Sequence, residues 1–130
     1  MASILRVNTL TDASSNNSVP MATVSSGTAK AWANFDGTAS GAAARGSFNL
    51  ASMTDSGTGI YVCNLTNAFA NTNDCAATSS ASASTSGSDN RNISTTITST
   101  SAIDSRTSNA ASGAVLDAVV NNVSAHGDLA

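Results

Sequence analysis

The chain has 130 residues, of which 41% are hydrophobic and only 4% aromatic; much of the apolar share is alanine, so bulky core material is thin. A net charge of −3 and a pI near 4.5 leave no basic patch for nucleic acid, and no apolar run approaches the ~20 residues that a membrane-spanning helix needs. The acids are all Asp, Glu and Gln are absent and Lys30 is the single lysine, a usage that disfavours helix interiors.

The first residues, Met-Ala-Ser-Ile-Leu-Arg-Val-Asn, lack the basic segment and apolar core of a secretory leader, so synthesis in a cytoplasm is expected. Residues 1–26 read as an extended arm. Ile4, Leu5, Val7 and Leu10 form a short apolar patch, followed by a polar, turn-rich run and by Pro20, the single proline. Such a segment cannot offset its own ordering entropy. Its apolar residues are therefore the candidate anchor to another protein.

Residues 27–130 read as one β domain. Ala29–Phe35 is an expected strand, ended by the Asp36-Gly37 turn. Trp32 and Phe35 differ in parity, which puts them on opposite faces of a regular strand. Either a bulge lies between them or both faces are covered. Arg45–Ser52 alternates, with Phe48 and Leu50 on one side. In the next strand Tyr61, Cys63 and Leu65 share one face and Ile60, Val62 and Asn64 the other. The intervening Thr-Asp-Ser-Gly-Thr-Gly run reads as a hairpin loop longer than two residues. Gly57 and Gly59 supply positive φ there, and Asp55 can bond amides two residues on.

Further along, Asn73–Ser84 reads as a strand of small residues and 84–90 as a loop. Arg91–Thr100 is a β-branched strand with Ile93, Thr95 and Ile97 on one face, and 105–113 is a second loop. Ala114–Val123 fits both a strand, with Leu116, Ala118 and Val120 alternating, and a helix, with Val115, Val119 and Val123 at i, i+4, i+8. Asn121, Asn122 and the valine content favour the strand. Five to seven short strands separated by turns describe an all-β fold, a small antiparallel β-sandwich knob behind an extended N-terminal arm.

Chemistry is sparse. His126 is the single histidine, and no G-x-S-x-G elbow accompanies it. The Asp residues are scattered rather than clustered as in a calcium loop. Ser56-Gly-Thr-Gly lacks the lysine and following helix of a phosphate loop. Cys63 and Cys75 sit among small neighbours and read as free, buried hydrophobes rather than as a bridge. No enzyme, metal or cofactor is expected. What remains is a neutral, hydroxyl- and amide-rich surface with one or two exposed aromatics, suited either to sugars and other polar ligands or simply to solubility.

Three stretches, "GTAKAWANFDGT", "ARGSFNLASMTDSGTGIYV" and "NAFANTN", resemble a series found in tail-fibre and receptor-binding proteins of bacteriophages, especially marine and cyanobacterial ones. The matching positions are Trp32, Asn34, Phe35, Gly37, Arg45, Ser47, Phe48, Asn49, Thr54, Asp55, Gly57, Gly59 and Tyr61. The opening "ASILRVNTLTDASSN" looks like the virion-attachment peptides that begin such fibres. Ile60, Cys63 and Cys75 depart from the family pattern, and its closing strand is hard to match to "VSAHGDLA". The resemblance implies a homotrimeric virion protein, made in the host cytoplasm. Residues 1–26 would dock onto other phage virion proteins, and residues 27–130 would form a knob. It also implies contact with a host surface glycan or protein through the loops 36–46, 84–90 and 104–113. Asp36, Thr38, Ser86, Asp89, Asn90 and Arg106 are the candidate contact residues. The alternative is a capsid decoration, neck or tail accessory subunit without a receptor.

Overall fold

A computed structural model describes residues 3–84 and 91–130. The described residues form ten strands and one short helix: β1 (Thr9–Thr11), β2 (Ser18–Pro20), α1 (Met21–Gly27), β3 (Ala31–Asp36), β4 (Ala43–Phe48), β5 (Leu50–Gly57), β6 (Ile60–Leu65), β7 (Ala76–Ser82), β8 (Arg91–Ser99), β9 (Ala102–Asn109) and β10 (Val120–His126). Eight of them make two four-stranded antiparallel sheets, in the orders β4-β3-β10-β7 and β5-β6-β9-β8. The fold is all-β, with more strands than the five to seven expected.

The two sheets face each other across a core of small and aromatic side chains. Phe35, Tyr61, Phe69 and Ile103 are its largest fully buried hydrophobic members, joined by Cys63, Leu65, Val123 and several alanines. Phe35 meets Tyr61 edge to face, with ring centroids 5.1 Å apart, a favoured aromatic arrangement. Ala31, Ala33 and Ala125 fill the inward positions of β3 and β10. Alanine thus serves as core here, which is how a chain poor in large side chains closes a sandwich. Among the described residues, the polar side chains of Ser105, Thr107 and Asn121 are buried with this core. The Thr107 hydroxyl donates to Asn121 Oδ1 (3.2 Å), and Asn121 Nδ2 donates to the Ala118 carbonyl (2.8 Å).

The chain changes sheets at Asn49, whose φ is +58°. Phe48 ends β4 in one sheet and Leu50 opens β5 in the other. The alternating run 45–52 is therefore two strands across a corner rather than one. Phe48 is exposed, whereas Leu50 packs against the core. Asn49 fixes the corner: its Oδ1 accepts from the Asn67 backbone N–H (2.7 Å), and its Nδ2 donates to the Asn67 carbonyl (3.0 Å). Asparagine tolerates positive φ better than most residues, and its amide serves the exposed backbone at the turn.

The hairpin β5–β6 is tighter than expected. β5 runs to Gly57 and pairs it with Ile60, leaving Thr58-Gly59 as the connection, with a bulge between Asp55 and Gly57. Asp55 accepts from the Gly57 N–H (3.0 Å), as the turn chemistry implied. A bulge also lies between β3 and β4, where Arg45 is the extra residue between the pairs Asn34–Gly46 and Phe35–Ala44. β3 itself alternates regularly, so Phe35 is buried and Trp32 faces solvent.

The region 102–109 is strand β9, not part of a loop. The strand expected over 114–123 begins six residues later, at Val120, and continues to His126. Its inward residues are Asn121, Val123 and Ala125, so Val120 lies on the outward set. Beyond it, the end of the chain returns to 68–70: Phe69 bridges Leu129, and the Ala70 N–H donates to the Asp128 carbonyl (2.8 Å).

The N-terminal segment is not simply extended. β1 and β2 form a two-stranded sheet of their own, and the seven-residue α1 follows with no buried residue. Asp12 fixes the β1–β2 turn, accepting from Asn17 Nδ2 (2.7 Å) and the Asn16 N–H (3.0 Å). The Asn17 amide is the main cause holding this carboxyl below its ordinary range.

Candidate functional site

The residues singled out in the sequence fall in different parts of the molecule. Asp36 and Thr38 do come together with Arg45. Asp36 accepts from the Thr38 N–H (3.0 Å) and hydroxyl (2.7 Å) on Oδ1, and from Arg45 Nη2 (2.6 Å) on Oδ2. The Thr38 hydroxyl is the largest cause of the lowered Asp36 pKa, with the Arg45 charge a lesser one. Arg45 also donates to the Val119 carbonyl (2.7 Å). These groups spend their polar atoms on holding the β3–β4 turn. Arg106 is not in a loop: it stands on the outward face of β9, between Ile60 of β6 and Ser94 of β8. Ser86, Asp89 and Asn90 lie outside the described residues. Ile4 and Leu5 are 75% and 80% exposed, and Val7 and Leu10 are also exposed.

A buried polar node closes one end of the sandwich. The Tyr61 hydroxyl donates to Asp117 Oδ1 (2.8 Å), with the Gly37 carbonyl as a longer second acceptor (3.2 Å). The same Asp117 oxygen accepts from the Gly59 N–H (2.6 Å). Burial, then the Asp117 carboxylate, drive the Tyr61 pKa well above its ordinary value. A phenol held protonated this firmly is a structural donor. Gly37 and Gly59 are required around it. A Cβ on Gly59 would lie 2.6 Å from the Thr107 carbonyl, and one on Gly37 would lie 2.6 Å from Tyr61 Cζ.

The cysteines are free. Cys63 is buried, and burial pushes its thiol up to about 11. Cys75 departs from the expectation: it precedes β7 and is half-buried, its Sγ donating to the Asn71 carbonyl (3.3 Å). A hollow beside it is lined in part by Asp74, His126 and Asp128. Among the described residues, no group of three or more His, Cys, Asp or Glu could hold a metal ion.

The outward face of β4-β3-β10-β7 carries a feature that the sequence reading passed over. Trp32 is 44% exposed and its strand neighbour Phe48 is 52% exposed. The indole lies over Gly46, where a Cβ would come 3.6 Å from the ring. On the other side of Trp32 the register places Ser124 and then Thr78. One rung along, Asn34, Asn122 and Ser80 stand side by side. Asn34 Nδ2 donates to Asn122 Oδ1 (2.6 Å), and Asn122 Nδ2 donates to the Ser80 hydroxyl (3.2 Å). These side chains line an open groove of about 500 Å³, to which the described residues contribute no titratable group. The lone tryptophan with Asn34 two residues on was the available signal. Its partners on β10 and β7 stayed hidden because they are distant in sequence and only the sheet order sets them beside β3.

The chain matches no family model, and neither curated proteins nor solved structures give a significant match.

Proposed function

We propose that this protein is a virion structural protein of a bacteriophage, a short tail fibre or receptor-binding appendage. Its N-terminal segment docks onto another virion protein, and its β domain faces the host surface. The observation that carries this reading is the exposed apolar run Ile4, Leu5, Val7 and Leu10, set ahead of a sandwich with a core of its own around Phe35, Tyr61, Phe69 and Ile103. Exposed apolar residues of this size gain by docking, each contributing ~1.5–3 kcal/mol before ordering costs. The phage-fibre resemblance of the Trp32–Tyr61 region supports the same reading. So does the scarcity of chemistry, since the polar clusters around Asp36 and Tyr61 serve backbone turns. A homotrimer fits the thin core, because burial between copies supplements what one chain can provide. Enzymatic activity, a cofactor and nucleic-acid binding have no part in this reading.

Antibody labelling of purified particles in the electron microscope tests it. Label at the tail tip or fibres, with host adsorption blocked by the antibody, is the expected result. Label on the capsid or neck, with adsorption unaffected, would instead identify a decoration or accessory subunit. Light scattering on the purified protein should give the mass of three chains, and a stable monomer would remove the trimer.

A further inference from the structure

We propose that the outward face of β4-β3-β10-β7 is a binding site for a neutral saccharide, with Trp32 as the stacking wall and the Asn34–Asn122–Ser80 ladder as the hydroxyl-reading floor. The proposal rests on the attachment reading for its biological sense, and it moves the ligand contact from the loops to a sheet face.

Three observations converge on this ligand class. First, Trp32 is half exposed on a rigid strand, braced on one side by the Gly46 backbone. A flat, partly desolvated aromatic beside polar groups is matched by a molecule with one apolar C–H face and a polar rim. Secondly, the two amides are already oriented by each other. Asn34 is held by Asn122, and Asn122 by Ser80. Each amide nitrogen keeps a second N–H, Asn34 keeps its carbonyl oxygen, and Ser80 keeps its hydroxyl proton, with no second protein partner among the described residues. Donors and acceptors set side by side on a strand rung suit adjacent sugar hydroxyls, each of which both donates and accepts. Thirdly, among the described residues no charged side chain lines the groove. A phosphate, a sulfated sugar or an acidic polymer would find no counter-charge there, so the complement is neutral.

A second copy of the chain is the competing occupant. Permanent subunit contacts run to roughly 2,000 Å² and resemble a cut core, depleted in polar side chains at their centre. Here the groove floor is built of Asn34, Asn122, Ser124, Thr78 and Ser80, and the two aromatics stand at one margin. The groove volume of about 500 Å³ lies in the usual range for small-ligand sites. An open, shallow site of this kind binds weakly, and several copies on one particle would raise the avidity.

The test uses the full chain and its single tryptophan, Trp32, as the reporter. Maltohexaose, cellohexaose and mannohexaose are titrated as neutral probes, with an alginate hexamer as the charged one. Indole fluorescence and the side-chain amide resonances of Asn34 and Asn122 are followed. A neutral probe should shift all three signals. Asn122→Ala and Trp32→Ala should each weaken binding about tenfold or more, which is ~1.4 kcal/mol, the second read by the amide resonances. Thr96→Ala, at an exposed position of β8 on the other sheet, should bind as the parent does. Trp32→Phe, which keeps an aromatic ring, should retain partial binding and guards against misfolding of the alanine variant. The proposal is overturned by any of four results: no neutral probe binding at about 10 mM, where even a Kd of 1 mM would be ~90% saturated; binding of alginate alone; binding indifferent to Trp32 and Asn122; or a Trp32 shielded from acrylamide in the free protein, which would place a second copy on the face. Particle labelling decides the attachment reading separately, so either conclusion can fail while the other stands.

Discussion

The core of the sandwich and the segment ahead of it treat large apolar side chains in opposite ways, while Trp32 and Phe48 stay exposed on the outer face of one sheet. Between β3 and the end of the chain, Phe35, Tyr61, Phe69 and Ile103 are completely or almost completely removed from water. Before β3, Ile4, Leu5, Val7, Leu10 and Val19 are exposed, and α1 buries nothing. The difference separates two jobs. In the sandwich core, apolar area stabilises the fold; in the N-terminal segment it stays in contact with water, and the proposed docking is what would bury it. Changes in the first region should therefore be read as stability, and changes in the second as association.

The largest expected effect is in the core. Phe35→Ala removes a ring that is fully buried against Tyr61, and should cost about 3–5 kcal/mol. Urea unfolding at constant m-value measures it. The other inward residues of β3 are Ala31 and Ala33, which are too small to refill the space. A loss below about 1 kcal/mol would mean that other surfaces share the burial credited to this core.

Gly59→Ala should follow at about 2–4 kcal/mol, combining overpacking and backbone strain. Its φ is +64°, and an added methyl would press on the Thr107 and Leu116 carbonyls at 2.6 and 2.7 Å. Heat and urea unfolding should both report the loss. A neutral result would show that the end of the sandwich yields readily.

Tyr61→Phe should cost about 1–2 kcal/mol at neutral pH by deleting the hydroxyl that Asp117 accepts. It should also alter the alkaline limb. Tyr61 and Cys63 both have raised folded-state pKa values, Cys63 to about 11. The unfolded chain therefore loses these protons first, near pH ~8.5 for the thiol and ~10 for the phenol. Their stability contributions are full below those values and fall as pH rises through the folded pKa. The parent should lose stability steadily above about pH 9, and Tyr61→Phe less steeply above about pH 10. Identical slopes would take Tyr61 out of the explanation. Thiol labelling sharpens the same contrast: Cys75 should react before Cys63, which waits for unfolding, and the unfolded chain should yield both thiols.

The smallest effect on stability belongs to the N-terminal segment. Ile4→Ser with Leu5→Ser changes side chains that are 75% and 80% exposed, and should shift unfolding by less than about 0.5 kcal/mol. A larger loss would mean that these residues pack on the sandwich.

What could be read from the sequence follows from where hydrophobicity and burial coincide. β6 and β8 were legible, because Tyr61, Cys63, Leu65 and Ile93, Ile97 mark one face in apolar residues. β9 was not, because its inward positions include Ser105 and Thr107, and an inward hydroxyl looks like a loop residue. Asn121 concealed the register of β10 in the same way. The corner at Asn49 was invisible because Phe48 and Leu50 keep the parity of a straight strand. On the site, the turn chemistry of Asp36 and Asp55 was readable locally. The Trp32 groove required partners on β10 and β7, distant in sequence, that only the sheet order brings together.

The most direct test of the division between the two regions is deletion of residues 1–12, read by two measurements on the same protein. The account predicts an unfolding midpoint and a number of chains per oligomer equal to those of the full chain, together with loss of incorporation into particles. Full incorporation of the truncated protein, or its failure to fold, would contradict it.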